Sequence, residues 1–278
     1  MYHSYSVLMS VYVKENPYYL KQSIDSMLNQ TIQTNDFVIV EDGILTKKLQ
    51  MILDKYADDY PFIHLIKRNE NSGLGAALNV GIKYCKNELV ARMDSDDISH
   101  KLRCEKQLRE FNIDNNLGIV GTDIARFSGE IDNILSIKRM PQTCMDIYQF
   151  GKQRNPFNHP SVMFKKSIII ENGGYPESIR GEDFALFTKM ISRGIKGKNI
   201  GEPLLYYRTD YNQFIRRTSW DDTKAVIKVA HRNRKERYCS LWDFIKVVVR
   251  QVGSYIVTRN LGGGIIQTLL FAQVKIRA

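Results

Sequence analysis

The sequence predicts an α/β protein whose largely parallel sheet carries helices on both faces and is followed by a basic helical tail. Three observations predict it. Over the first hundred residues, short apolar runs alternate with stretches that place apolar residues at helical spacing, the pattern of successive βαβ units. Glycines and acidic residues cluster directly after the apolar runs, and open sheets of this kind gather their ligands at the carboxyl ends of strands. Positive charge is concentrated at the end. Residues 211–278 hold 13 Lys+Arg against 4 Asp+Glu, whereas residues 1–210 hold 27 against 26.

The elements follow in order. Residues 5–12 read as a buried strand. Pro17 opens a helix with Leu20, Ile24, Met27 and Leu28 on one face, as proline does at a first helical position. Residues 37–40 form a short strand that stops at Glu41-Asp42-Gly43. A helix fits 46–60, with Leu49, Ile52, Leu53 and Tyr56 at helical spacing, and 63–66 is the next strand. Gly73-Leu74-Gly75 leads into a helix from Ala76 to Cys85. Residues 89–93 are a strand that ends at Asp94-Ser95-Asp96-Asp97. Thereafter the pattern loosens. A helix is expected over 101–115, strands over 117–122 and 161–164, a helix over 184–192 and a last short strand over 204–207. Beyond Arg208 the chain reads as basic and helical, with Phe244, Ile245, Val248, Val249, Val252, Tyr255 and Ile256 at helical spacing and Lys246 and Arg250 among them.

The 278 residues, with a net charge of +10, suffice for one large domain and a tail. The expected division is 1–210 as the catalytic unit, with 1–100 binding nucleotide and 101–210 binding acceptor, and 211–278 as the amphipathic tail. The tail's charge calls for an anionic partner, a membrane surface or nucleic acid; the alternative is a solvated helical face. Cys85, Cys104, Cys144 and Cys239 show neither a CxxC nor metal-site spacing, which fits reduced thiols in the cytoplasm. The N-terminus reads as a strand rather than a signal peptide. No apolar run is long enough to predict a membrane-spanning helix.

Three motifs carry chemistry. Asp94 and Asp96, at i and i+2 past a buried strand, offer oxygen ligands to a hard cation such as Mg²⁺ or Mn²⁺. An EF-hand beginning at Asp94 puts Glu105 at position 12, but Ser99 replaces the glycine of position 6 and Ile98 lacks a ligand oxygen at position 5, so that reading fails. Gly181-Glu182-Asp183-Phe184 precedes an apolar helix and reads either as an N-cap or as a general base at a helix terminus. Asn71-Ser-Gly-Leu-Gly75 suits a tight turn that exposes backbone N–H groups to an anion; with no GK[ST] it is not a Walker loop.

In series, these motifs resemble a known family. Ser10-Val11-Tyr12, Ser26-Met-Leu-Asn-Gln-Thr31, Val40-Glu-Asp-Gly43, Asn71-Ser-Gly-Leu-Gly75, Arg92-Met-Asp-Ser-Asp-Asp97, Asn158-His-Pro-Ser-Val162, Gly173-Gly-Tyr175 and Gly181-Glu-Asp-Phe184 follow the order found in family 2 glycosyltransferases of GT-A fold. The resemblance spans residues 5–208 and is strongest to bacterial enzymes that build capsule, exopolysaccharide or O-antigen repeat units. It implies the Rossmann-like sheet of nucleotide-diphospho-sugar transferases and an inverting transfer, most readily from a UDP-sugar. Val11, Tyr12, Glu15, Asp42, Arg68, Asn71, Gly75, Asp94 and Ser95 would bind nucleotide and donor. Asp96, with Asp94, would hold the divalent metal. Asp183 would be the catalytic base with Glu182 beside it, and His159 and Arg208 would border the acceptor.

Two departures stand out. The usual Asp-Asp-Gly-Ser reads Glu41-Asp-Gly-Ile44, keeping Asp42. The late Arg-x-His reads Arg208-Thr-Asp210, without the histidine; Arg216 and Arg217 are alternative holders of the diphosphate. The implied partners are a nucleotide-sugar donor and a polyprenyl-diphosphate-linked glycan acceptor, with an anionic membrane surface or a second copy of the chain against the tail. That places the protein in the cytoplasm, peripheral to the inner face of the plasma membrane. The rivals are a sugar nucleotidyltransferase, which releases pyrophosphate, and a non-catalytic nucleotide or nucleic-acid binder. The latter lacks aromatic residues interleaved with Arg232-Asn-Arg-Lys-Glu-Arg237.

Overall fold

The computed structural model describes residues 4–176, 180–209 and 219–260. The first half is a run of β–α units: β1 (Tyr5–Val11), α1 (Pro17–Leu28), β2 (Phe37–Glu41), α2 (Lys47–Asp59), β3 (Ile63–Lys67), α3 (Leu74–Tyr84) and β4 (Leu89–Asp94). Local chemistry sets the helix starts. Asn16 caps α1 through Tyr18 N–H, with Pro17 in the first turn, and Thr46 caps α2 by accepting from Leu49 N–H. The second half contains β5 (Ile98–Ser99), α4 (Arg103–Ile113), β6 (Leu117–Phe127), β7 (Ile134–Lys138), α5 (Cys144–Gly151), a 3₁₀ turn (His159–Ser161), β8 (Met163–Lys165), α6 (Lys166–Glu171), α7 (Glu182–Ser192) and β9 (Lys196–Arg208). Two helices close the described chain, α8 (Trp220–Lys235) and α9 (Leu241–Asn260).

Among the described residues the strands form one sheet in the order β3-β2-β1-β4-β8-β6-β9-β5, with β7 on β6. β3, β2, β1 and β4 are parallel; β8 runs antiparallel between β4 and β6, and β9 returns parallel to β6. Alternate residues feed two cores. Val7, Met9, Phe37 and Ile39 pack on one face with Leu20, Ile24, Leu49, Leu53 and Leu108, while Leu8, Val38 and Val40 pack on the other with Ala77, Leu78, Ile82, Leu186 and Phe187. Burial on both faces explains why the first strands read as continuous apolar runs.

The second half differs from expectation. β9 spans Lys196–Arg208, not a short strand over 204–207, because Lys196, Lys198 and Glu202 interrupt its apolar pattern while its backbone stays paired to β6. β6 likewise continues past Thr122 to Phe127. Buried Asp123 is tolerated there because its carboxylate accepts Met140 N–H at 2.8 Å. β5, β7, α5 and α6 were not foreseen. The basic segment is not a detached tail at its start: Val229 of α8 packs with Phe184 and Ala185 of α7, and Arg232 Nη2 donates to Ala185 O at 2.6 Å. Asp210, Arg216 and Arg217 lie outside the described residues, as does the chain beyond 260.

Candidate active site

β4 delivers the acidic turn. Asp94 ends the strand beside Ser10 of β1, and Ser23 Oγ fixes it by donating to Asp94 O at 2.6 Å. The chain then folds through residues 95–97 into β5, which pairs with β9. Arg208 holds this turn. Its N–H donates to Asp97 Oδ1 (2.8 Å), its Nε to Asp96 O (2.8 Å) and its Nη2 to Gln22 Oε1 (2.7 Å), and its guanidinium lies 3.9 Å from the Tyr19 ring centroid. The Arg208 side chain, expected to border the acceptor, is engaged in shaping the acidic turn.

The carboxylates of Asp94, Asp96 and Asp97 bring one oxygen each within 4.8 Å of one another. Burial, followed by the charges of Asp94 and Glu15, pushes the Asp96 carboxyl up to about 7. Burial and then Asp96 and Asp94 push Asp97 well above the usual carboxylate range. Asp97 Oδ2 is buried without a hydrogen-bond partner among the described residues. Three mutually repelling, partly desolvated carboxylates with an unsatisfied oxygen fit a hard divalent cation. Ser95 Oγ donates to Glu15 Oε2 at 2.5 Å, which opposes the rise that burial imposes on the Glu15 carboxyl.

Behind the turn lies Arg92, 1% exposed, whose Nη2 donates to Asp94 Oδ1. Burial, the largest influence, lowers its pKa, but the charge and hydrogen bond of Asp94 together with the charges of Tyr175 and Asp97 outweigh it, and the guanidinium stays charged. Sequence reading quoted Arg92 only as a flank of the motif. A cation on a buried strand directly before acids is the signal that could have marked it.

The residues expected to hold nucleotide gather at the tips of β1, β2 and β3. Asp42 accepts from Arg68 Nη1 (2.6 Å), Ser72 N–H (3.1 Å) and Gly73 N–H (3.1 Å). Arg68 and Ser72 also line an open pocket with Lys67, Asn69 and Glu70. Tyr12 is half-buried and Asn71 exposed at the same edge. At Val11 the pleat turns the side chain wholly into the core, and the carbonyl accepts Asp42 N–H at 2.8 Å, so only its backbone is placed at this edge. Gly75 is buried too. A Cβ there would stand 3.2–3.3 Å from Tyr175 and Glu182, so its role is to let α3 approach Glu182.

α7 supplies the other acids. Gly181, in the left-handed region at φ 72°, is its N-cap and provides no side-chain hydrogen bond, so neither acid is the cap. Glu182 and Asp183 occupy the first turn, where the helix dipole favours negative charge. Burial and then the Asp183 charge push the Glu182 carboxyl up to about 7. Asp183 Oδ2 accepts from Asn155 Nδ2 at 2.7 Å. A cleft of about 340 Å³ brings these groups together: Asp94, Arg92, His159, Asn155, Glu182 and Asp183 all line it. His159 Nε2 is 2.9 Å from the Tyr175 hydroxyl. The acidic turn and the start of α7 therefore converge across one cleft.

Residues 6–195 match the model of the family described as Glycosyl transferase family 2. The chain belongs to that family. A relative of this family 2 glycosyltransferase, from Haemophilus influenzae and called an uncharacterized glycosyltransferase, is 36% identical over 80% of this chain and 82% of its own. An Escherichia coli relative, the UDP-Gal:alpha-D-GlcNAc-diphosphoundecaprenol beta-1,3-galactosyltransferase, is 32% identical over 89% of this chain and 90% of its own. Among solved structures, S. aureus TarS in complex with UDP-GlcNAc superposes with a TM-score of 0.68 at 15% identity, covering 98% of this chain and 79% of that one. A Pyrobaculum calidifontis mannosyltransferase in complex with GDP-Man and Mn²⁺ superposes with a TM-score of 0.63 at 14% identity, covering 100% and 82%. That likeness is one of fold, and the fold is GT-A.

Beyond Arg92, sequence reading of this family 2 glycosyltransferase passed over Asp97 as a member of the carboxylate cluster, Asn155 as the partner of Asp183 and Tyr175 as the partner of His159. Asp97 was legible from its place in the acidic run. Asn155 and Tyr175 sit in loops away from their partners along the chain; the Gly173-Gly-Tyr175 motif marks Tyr175 without pointing to His159, and no local pattern marks Asn155.

Proposed function

We propose that this family 2 enzyme is an inverting, metal-dependent hexosyltransferase. It would move a sugar from a UDP-sugar to a hydroxyl of a lipid-linked diphosphate glycan, in the assembly of a surface polysaccharide. The observation that carries the reading is that Asp94, at the head of a three-carboxylate cluster, and Asp183, at a helix start, line the same cleft. The name of the E. coli relative supports a UDP donor and a diphosphate-lipid acceptor, and the bound UDP-GlcNAc of one structural neighbour and the Mn²⁺ of another support donor and metal.

In this reading Asp94, Asp96 and Asp97 hold Mn²⁺ or Mg²⁺, which when bound offsets the charge that builds on the leaving diphosphate. Asp42 and Arg68 hold the nucleoside end. Asp183 accepts the proton of the acceptor hydroxyl as its oxygen bonds to the anomeric carbon and the bond to the nucleoside diphosphate breaks on the opposite side. Asn155 Nδ2 and Phe184 N–H hold the Asp183 carboxylate in place at the cleft, and a positioned carboxylate can serve as this base. Glu182, beside it, orients the sugars, and His159 borders the acceptor.

The outward side of α9 supports a membrane contact. Trp242 is 71% and Val249 66% exposed, with Ile245 and Ile256 on the same stripe, while Val247 and Phe244 face α8. An amphipathic helix of this kind can rest on an anionic surface and bring the enzyme to a lipid-linked acceptor; a second copy of the chain is the other candidate for that stripe. No described helix is long and apolar enough to cross a membrane.

The test is a panel of nucleotide sugars with Mn²⁺ and a diphosphate-lipid-linked sugar. The expected result is release of a nucleoside diphosphate, with a product whose anomeric configuration is opposite to the donor's. Release of pyrophosphate would mark a nucleotidyltransferase and overturn the proposal.

A further inference from the structure

The helix that carries Asp183 is held from outside the family-matched segment. That segment ends at residue 195, whereas α8 begins at Trp220, yet α8 runs along α7 from its first turn. A Cβ at Gly181, the N-cap of α7, would stand 3.7 Å from Ala225 Cβ and 3.8 Å from Val229 Cγ2. Further along, Val229 packs on Phe184 and Ala185. Arg232 completes the contact, donating to Ala185 O at 2.6 Å and to Thr188 Oγ1 at 3.2 Å.

At the cleft the same two helices are joined by charge. Arg180 and Asp222 both line it, together with Glu182 and Asp183. Arg180 Nη1 donates to Asp222 Oδ1 at 2.5 Å and to Ser219 Oγ at 3.4 Å. Asp222 Oδ2 accepts from Ser219 Oγ at 2.6 Å, and Ser219 caps α8 by accepting Asp222 N–H at 3.2 Å. Both carboxylate oxygens of Asp222 are thus engaged within the protein, so Asp222 holds a neighbouring element in place. The Arg180 side chain is 42% exposed and that of Asp222 23%, and a pair so open adds little to global stability. Its location gives it a different weight. Arg180 directly precedes Gly181-Glu182-Asp183, where the chain passes through a left-handed residue into α7. A displacement of about 1 Å in a reacting group can cost about 10²-fold in rate.

We propose that Asp222 is a positioning residue for the base: through Arg180 it fixes the entry to α7, so that the Asp183 carboxylate meets the acceptor hydroxyl. α8 is then a working wall of the active site. This rests on the transferase reading above and deepens it, since it names a residue beyond the family-matched segment on which the base depends.

Two measurements on the full chain test it, and the first needs no turnover. Hydrogen exchange across residues 181–187 should quicken about tenfold in Asp222→Asn and in Arg180→Gln, the scale of a local opening, while Tm stays within about 2 °C of wild type. The second is steady-state transfer. Each single variant, and the double variant Arg180→Gln/Asp222→Asn, should lose about tenfold in kcat, because partners that act as a unit are not additive. Donor KM should stay within about twofold, and Arg180→Lys, which keeps the charge, should stay within about threefold of wild type in kcat. Unchanged exchange at the start of α7, a larger fall in Tm, or a double variant that loses the product of the single losses overturns the positioning role. So does an unchanged kcat with a raised acceptor KM, which would make the pair a binding site. Exchange that quickens as expected in a chain that transfers no sugar strikes the transferase reading alone, and the hold of Asp222 on α7 stands.

Discussion

Replacing Asp96 with asparagine should make the metal-free protein more stable at alkaline pH. The carboxyl is pushed from 3.8 to about 7 by burial and by the charges of Asp94 and Glu15. A group raised in this way holds its proton more tightly in the folded chain, so its contribution is fully present below about pH 4 and is lost as pH rises through about 7. A shift of about three units at about 1.36 kcal/mol each sets a ceiling of about 4 kcal/mol by pH 8. Asp96 is half-buried and packed against the carboxylates of Asp94 and Asp97, so a measurable gain of about 1–3 kcal/mol is expected after screening and coupling. For a chain of this size that is roughly 2–10 °C in Tm. The assay is thermal unfolding of wild type and Asp96→Asn in chelator at pH 4.5 and pH 8, then with Mn²⁺. The two proteins should melt together at pH 4.5. At pH 8 the variant should melt higher, and Mn²⁺ should raise wild type alone, because ligand binding to the folded state adds stability by mass action. A variant less stable at pH 8, or one with the full response to Mn²⁺, would refute the reasoning.

Other outcomes follow from the same geometry. Asp183→Asn keeps the volume and removes the base, so turnover should fall about 10²-fold or more with donor affinity retained; wild-type turnover would remove Asp183 from the mechanism. Glu182 is held up at about 7 by burial and Asp183, so the rate should carry an acidic limb with its midpoint near that pH. The profile of Glu182→Gln, measured over pH 5–9, should lack that limb. Gly75→Ala puts a methyl group 3.2–3.3 Å from Tyr175 and Glu182. A displaced Glu182 should cost about tenfold or more in kcat, while circular dichroism stays that of the wild type.

The first half of the fold was legible because each strand is buried on both faces and each helix keeps one apolar stripe. Leu8 and Val7, adjacent in sequence, serve opposite cores, and such runs are visible without a structure. The second half was not. β9 carries Lys196, Lys198 and Glu202 outward while its backbone completes the ladder with β6, and side-chain patterns do not report backbone pairing. The site divided in the same way. Asp94, Asp96, Glu182 and Asp183 stand at element ends that the sequence marks; Asp94, Glu182 and Asp183 line one cleft, and Asp96 clusters with Asp94. The part Arg208 plays in holding the acidic turn was not legible, because its guanidinium acts on Asp96 and Gln22, far from it along the chain. The inward turn of the Val11 side chain was not legible, because a strand end and a ligand pocket look alike in sequence. Arg180 and Asp222 fell outside the motifs, and only the packing of α8 on α7 brings them together.

Anomalous diffraction at the manganese edge, from crystals soaked with Mn²⁺ and an unreactive UDP-sugar analogue, reaches the centre of this account. One peak should lie among Asp94, Asp96 and Asp97, with the sugar's anomeric carbon between it and the Asp183 carboxylate. A metal bound elsewhere, or a sugar turned away from Asp183, would contradict a reaction that runs across this cleft.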